Sequence, residues 1–338
     1  MKAVRLRVPG SLEGLVLGDE PTPAVGPRDV LVRVRASSLN FRDGLVLKGL
    51  YPGPLKQQGV PLSDGAGDVV AVGDRVQRVK IGDRVAGSCW SHWIGGPFLT
   101  EYHSEAIGMT QDGTLAEYLL LDENAAVMLP EYLTYNEAAA LPCASVSAWT
   151  ALTFGSPLAP GQTVLTQGTG GVSLYAVQLA KAFGARVIAT TSSDEKAGLL
   201  KSLGADDVIN YTATPRWDEA VLELTGGQGV DKIVEIGGEA TIEQSAACAR
   251  IGGEIGLVGY VTGFGGGLPP LSIMARSLLL KGVPMGPRSS FDALLAAMAM
   301  TEIHPVIDSV FSFDDFRGAY RRLDSGQHVG KIVIEHGN

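Results

Sequence analysis

The chain has 338 residues, 45% of them apolar, and a formal net charge of −9. That length suits two domains of ordinary size, and the acidic balance speaks against nucleic acid as a partner, which calls for a basic face. No apolar run approaches the roughly 20 residues needed to cross a bilayer, MKAVRLRVPG lacks the apolar stretch of a secretory signal, and Cys89, Cys143 and Cys248 form no CxxC pair, so the expectation is a reduced cytoplasmic enzyme without disulfides or a membrane partner.

The first third reads as short strands and turns. VLVRVRASS (30–38) alternates apolar and charged residues, as a half-buried strand does. GAGDVVAVGDRV (65–76) and KIGDRVAG (80–87) carry strand runs cut by Gly-Asp turns, and TLAEYLLLDENAAVMLP (114–130) reads as a strand pair. Together they predict a β-barrel-like unit. Near residue 130 the pattern changes. YNEAAALPCASVSAWTALTF (135–154) is helical in composition, and strands then alternate with helices through VLTQG, RVIATT, DDVINY, VDKIVEIG and EIGLVGY, with LLLKGVPM (278–285) as a last strand. Such alternation predicts a parallel sheet covered on both faces. The tail reads helix (FDALLAAMAM), strand (PVIDSVFSF), helix (DDFRGAYRRLDSG) and strand (GKIVIEH).

Gly168-Thr169-Gly170-Gly171-Val172-Ser173 is nearly GxGxxG, with serine in the last position. It follows an apolar strand and opens a helix, the context in which such a turn cradles a dinucleotide. Gly168 permits the tight turn, Gly170 lets a pyrophosphate approach the backbone, and Ser173 lets helix and strand pack closely. The helix N-terminus adds free N–H groups and a positive dipole end. About 20 residues after the first glycine, NAD-binding chains place an acid for the ribose 2′-hydroxyl. Here that place holds Thr191, followed by Ser192 and Ser193, with Lys196 in the next helix. Hydroxyls and a cation suit a 2′-phosphate, which favours NADPH over NADH. Asp194 reads as a helix N-cap.

The order of parts, and the segments SSLNFRDGLVLKGLYPGP, PLSDGAGDVVAVGDRV, GTLAEYLLL, AAALPCASVSAWTAL, the glycine turn and GQHVGKIVI, resemble the medium-chain dehydrogenase/reductase superfamily. NFRDGLVLKGLYP is most similar to its zinc-free quinone oxidoreductase branch. The resemblance implies an α/β protein in two parts: a GroES-like β-rich catalytic domain over 1–126 and 287–338, and a Rossmann domain over 127–286. Where zinc-dependent relatives carry their ligands, this chain has Asn40, Ser63 and Cys143. One cysteine is too few for a catalytic zinc, so no metal is expected, and Cys143 reads as a small buried residue. Cys89, His92 and His103 have no familiar zinc spacing.

Without a Lewis acid, hydrogen-bond donors must polarise a carbonyl. The resemblance points to Asn40 and Tyr51 as donors, with Arg42 beside them, and Asp43 is read as structural. The aromatic loop SCWSHWIGGPFLTEYH (88–103) is a candidate lid or substrate wall. Further cofactor contacts implied by the resemblance are Tyr211, Gly237 (followed by Gly238), Val258, Gly259, Arg288 and Lys331. The expected function is NADPH-dependent hydride transfer to a small apolar enone, quinone or ketone. Zinc-independent alcohol dehydrogenase or carbonyl reductase activity, and a catalytically idle NADPH-binding regulatory protein, remain alternatives. The apolar strand LLLKGVPM at a sheet edge predicts a homodimer.

Overall fold

In a computed structural model, which describes residues 1–337, the chain divides into two compact units. The first comprises Met1–Val146 together with the tail from Gly286, and the second is Ser147–Met285. The division after Val146 lies beyond the border expected after residue 126. The reason is that helix Tyr135–Ala139 packs on strands Asp29–Leu39 and Asp64–Val72 of the first unit.

The first unit is built on a seven-stranded sheet. Its central strand, Asp29–Leu39, pairs antiparallel with Asp64–Val72, Tyr118–Asp122 and Lys331–Glu335. The alternation seen in the sequence buries Val30, Val32, Val34 and Ala36 on one face, packed with Val69, Val85, Leu119 and Leu121. A second core gathers Leu39, Val46, Leu47, Phe316, Tyr320 and Ile332. Two strands and a helix of this unit went unseen in the sequence. Strands Lys2–Leu6 and Leu15–Asp19 form a separate antiparallel pair. Helix Phe41–Lys48 lies within the SSLNFRDGLVLKGLYPGP segment. Its start is legible in hindsight, because Asn40 and Asp43 form a capping box, in which Asp43 Oδ2 accepts the N–H of the N-cap Asn40 at 2.7 Å.

The second unit carries the predicted parallel sheet. Its six strands are ordered Asp207–Asn210, Arg186–Thr191, Thr163–Gln167, Val230–Glu235, Ala249–Leu257 and Leu279–Gly282, and every neighbouring pair is parallel. In chain order this is 3-2-1-4-5-6, the doubly wound arrangement that binds dinucleotides where the order reverses. The reversal falls between Thr163–Gln167 and Val230–Glu235, and the glycine turn leaves the first of these strands. Among the described residues no helix is long and apolar enough to cross a membrane.

Candidate active site

The glycine turn has the geometry its mechanism needs. Gly168 sits at φ +74°, a left-handed conformation that favours glycine, and its N–H bonds Thr190 O at 2.8 Å. Helix Gly171–Ala182 starts directly after the N-cap Gly170, and a Cβ placed on Gly170 would meet nothing within 4 Å. The space beside the first-turn N–H groups is thus open to a ligand. Thr169 is buried and Val172 half-buried in the same turn. Fully buried Ser173 donates its hydroxyl to Gln167 O, locking helix to strand. These residues fit a dinucleotide pyrophosphate.

At the end of the second strand the expected hydroxyl cluster separates into different roles. Thr191 is fully buried. Ser193, not Asp194, is the N-cap of helix Asp194–Ser202, accepting Lys196 N. Asp194 instead accepts from Asn210 Nδ2 at 2.9 Å. Ser192 is exposed, and the Lys196 ammonium makes no ion pair among the described residues. Ser192 and Lys196 are therefore the available pair. Tyr211 follows the third strand, 42% exposed, with its N–H on Thr191 O at 2.9 Å.

Gly237, Val258 and Gly259 lie just beyond strand ends at the switch point, but the chain itself uses their N–H groups. Gly237 N bonds Glu235 Oε1 at 2.8 Å, and Val258 N and Gly259 N bond Glu235 O at 2.8 and 3.1 Å. A Cβ on Gly259 would lie 2.6 Å from Ile236 O, so close packing of backbone alone requires glycine there.

In the first unit the residues at the implied metal position do come together. Asp64, fully buried, is the hub. Its carboxylate accepts from Ser63 Oγ at 2.6 Å, Cys143 N at 3.2 Å, Lys331 Nζ at 3.5 Å and Cys89 Sγ at 3.7 Å. Arg42 donates to Ser63 Oγ and approaches Cys89 Sγ at 3.8 Å. Burial works against the Arg42 charge, but Cys143, Cys89, Asp43 and Asp64 around it outweigh burial and raise its pKa. Cys89 and Cys143 share a hydrogen bond that holds the Cys89 thiol up and draws the Cys143 thiol down, with Arg42 adding to the latter. Just ahead of Ser63, Leu62 has φ +70°, a costly conformation for a bulky residue. Asp43 caps helix Phe41–Lys48 through the Asn40 N–H. Tyr51 is half-buried against the second core of its unit, and burial raises its pKa.

This donor set does not fit zinc. Two cations, Arg42 and Lys331, sit among the groups at the implied metal position, and the Asp64 carboxylate already accepts from four donors. Among the described residues no group of His, Cys, Asp and Glu is arranged to hold a metal ion. His92 instead faces Glu105 at 3.1 Å and Asp122 at 3.4 Å.

Several placements go beyond the sequence reading. Cys89 and Asp64 belong to the cluster, and the sequence reading placed neither of them there. The Lys331 ammonium, expected as a cofactor contact, bonds Leu39 O at 2.6 Å and Asn40 Oδ1 at 2.7 Å in addition to Asp64. The aromatic loop is largely its own small core: Phe98 packs edge-on to Trp90 and Trp93, both at 4.9 Å, and both tryptophans are buried. Arg288, expected just after the last strand, opens helix Arg288–Thr301, with its N–H on Trp93 O at 2.9 Å. Its side chain is mostly buried, its nearest acid Asp292 is 3.7 Å away, and its Nε is without a partner.

The doubly wound sheet with its glycine cradle, joined in one chain to a β-rich unit holding a buried polar cluster, defines a dinucleotide-dependent oxidoreductase. Two family descriptions match, "Alcohol dehydrogenase GroES-like domain" over residues 26–131 and "Zinc-binding dehydrogenase" over 171–300. The chain belongs to the medium-chain dehydrogenase/reductase superfamily. It is 41% identical over 319 residues to a zinc-type alcohol dehydrogenase-like protein of Schizosaccharomyces pombe, covering 92% of both chains. It is 34% identical over 344 residues to a quinone oxidoreductase of Pseudomonas aeruginosa, covering 98% of this chain and 99% of that one. Among solved structures, an NAD-dependent alcohol dehydrogenase superposes with a TM-score of 0.90 at 34% identity, covering 100% of both chains. A mycobacterial protein complexed with NADPH superposes at 0.82 and 27% identity, covering 99% of both.

Proposed function

We propose that the protein is a zinc-independent, NADPH-dependent reductase of the quinone oxidoreductase-like branch, acting on a small apolar enone, quinone or ketone. The observation that carries the reading is the buried cationic pair, Arg42 and Lys331, standing among the groups where zinc-dependent relatives are implied to hold their metal. A reduced nicotinamide, when bound, supplies the hydride. What the chain supplies is binding and charge. The glycine turn holds the phosphates. Asn40 and Tyr51 donate hydrogen bonds to the acceptor's oxygen as negative charge grows there, and the Tyr51 hydroxyl is a source for the proton that finishes the reduction. Arg42, kept charged by its acidic neighbours, supports the same negative charge. The unpartnered Nε of Arg288 supports a contact to an anionic part of the cofactor, and Ser192 with Lys196 supports a 2′-phosphate.

The decisive experiment offers NADPH or NADH with cyclohexenone, benzoquinone and cyclohexanone and analyses the products. Saturated ketone from the enone and hydroquinone from the quinone support the reading. Allylic alcohol from the enone shifts it to carbonyl reduction, the second reading, which the resemblance to an NAD-dependent alcohol dehydrogenase favours. Cofactor binding without turnover would leave a regulatory protein. Stoichiometric zinc in active material, with activity lost to a chelator, would defeat the zinc-independent chemistry. For the cofactor, Lys196→Glu should weaken NADPH binding at least tenfold more than NADH binding; equal effects would place the 2′-phosphate elsewhere.

Assembly follows from the sheet edge. Strand Leu279–Gly282 pairs on one side only, and Leu279, Leu271, Met274 and Phe264 are exposed nearby in the same unit. An unpaired apolar edge favours a homodimer; a monomer by light scattering at micromolar concentration would exclude it.

A further inference from the structure

Lys331 opens strand Lys331–Glu335, and its side chain is only 4% exposed. An ammonium has three N–H donors and no acceptor. Here three acceptors surround it: Leu39 O at 2.6 Å, Asn40 Oδ1 at 2.7 Å and Asp64 Oδ2 at 3.5 Å. Every donor is engaged within its own unit.

This has a consequence for Asn40. The two ends of a side-chain amide look alike, and only the hydrogen-bond network tells them apart. With an ammonium on one side, the oxygen must face Lys331, because the NH₂ would oppose donor to donor. The Asn40 backbone is held as well, its N–H on Asp43 Oδ2 at 2.7 Å as the cap of helix Phe41–Lys48. The amide nitrogen is thereby fixed in direction. It is buried, and no acceptor among the described residues meets it. Buried donors rarely stay unpaired, so a ligand oxygen is the acceptor this amide is built for.

We propose that Lys331 is a positioning residue that clamps the oxygen of Asn40 so that Nδ2 donates to the carbonyl or quinone oxygen of the substrate. The inference rests on the reductase reading above. Asp64 completes the device, since its carboxylate balances the ammonium and holds it over Leu39 and Asn40. Lys331 acts through Asn40 and does not touch the substrate.

The chain has five asparagines, so protein labelled with ¹⁵N-asparagine gives a simple side-chain amide spectrum, with the Asn40 pair identified by its loss in Asn40→Asp. In the wild type, cyclohexenone added with NADP⁺ should shift that pair. In Lys331→Met the pair should move in the free protein and no longer respond. For the enone, kcat should fall about 10- to 100-fold, less than the roughly 100- to 1,000-fold of removing an oxyanion donor outright because the misaligned amide is still present, while the Kd for NADPH stays within about twofold. Lys331→Gln keeps an N–H for Asn40 and should hold both the amide pair and kcat near their wild-type values. That variant carries the test if Lys331→Met does not fold. An Asn40 pair unmoved in Lys331→Met, or a wild-type pair indifferent to cyclohexenone, would overturn the proposal. So would weakened NADPH binding at unchanged kcat. Should the wild type turn over none of the acceptors, the reductase reading fails on its own, and the amide spectrum still decides whether Lys331 orients Asn40 toward a carbonyl oxygen.

Discussion

Glu235 accepts a hydrogen bond from Gln167 Nε2 at 2.8 Å, tying the two strands that flank the switch point of the parallel sheet. The carboxylate is fully buried, and no cation among the described residues lies within hydrogen-bond reach. Four further donors satisfy it: Gly237 N at 2.8 Å, Gly238 N at 2.9 Å, Thr241 Oγ1 at 2.6 Å and Ser245 Oγ. Gln167 in turn accepts Ile236 N and Gly237 N, both at 3.2 Å. The network sets the shape of the loop after Glu235, beside the place where a dinucleotide binds in this fold.

Glu235→Gln is nearly isosteric, yet it should destabilise the protein by about 2–3 kcal/mol. Either orientation of the new amide sets an NH₂ against N–H or O–H donors, leaving at least one buried donor unmade. Urea unfolding would show a lowered midpoint at unchanged slope. A loss below about 0.5 kcal/mol would mean that the loop relaxes to accommodate the amide.

Gly170 separates folding from cofactor binding. Its backbone, at φ −77°, is one any residue adopts, and its Cβ position is clear of protein atoms. Gly170→Val should therefore change stability by less than about 1 kcal/mol, while the added methyls block the approach to the helix N-terminus. NADPH affinity, followed by fluorescence titration, should fall at least tenfold. Unaltered affinity would show that the pyrophosphate does not lie against this turn.

The legibility of these features from the chain alone follows their range. The glycine turn was readable because strand, turn and helix are contiguous, and so were the period-2 strand Asp29–Leu39 and the alternating second unit. The cluster around Asp64 joins residues 40, 64, 89, 143 and 331, which no local pattern relates. The resemblance supplied Asn40, Ser63 and Cys143, but Cys89 carried no signal of its own. Lys331 was noticed, but its bonds to Leu39, Asn40 and Asp64 were not, since a lysine after glycine at the start of a strand does not reveal which way its four-carbon stem runs. Helix Phe41–Lys48 was missed because its short apolar face, Val46 and Leu47, is too brief for a clear helical period.

In the second unit Lys232 and Glu254 form a buried ion pair, 2% and 11% exposed at the side chain, with Lys232 Nζ also on Phe154 O at 3.0 Å. Glu254→Gln leaves the ammonium without its counter-ion and should cost about 3–5 kcal/mol. Lys232→Met combined with Glu254→Gln should restore part of that loss, because no buried charge then remains. Additive losses in thermal or urea unfolding would show that the two side chains do not interact.

Two buried groups of the first unit give opposite slopes to stability against pH. Burial lifts the Asp43 carboxyl from 3.8 to about 6, against the pull of Arg42 and its bond from Asn40 N. Between those values the folded state holds a proton that the unfolded chain has released, so stability present below pH 4 is lost as pH rises toward 6. Burial lowers His336 from 6.5 to about 3; its Nε2 lies 2.8 Å from Ser37 Oγ and its ring lies against Phe313. There the unfolded chain binds the proton first, so stability present above pH 6.5 is lost as pH falls toward 3. Near pH 5 each slope is roughly 1 kcal/mol per pH unit, and the two nearly cancel in the wild type. Asp43→Asn keeps an acceptor for the Asn40 N–H and removes one titration, so its stability relative to wild type should fall by about 1 kcal/mol per unit on acidification from pH 6 to pH 4. His336→Gln, which keeps a partner for Ser37, should show the reverse trend. Urea midpoints at half-unit intervals would measure both, and parallel curves for Asp43→Asn and wild type would show that Asp43 is ionised throughout.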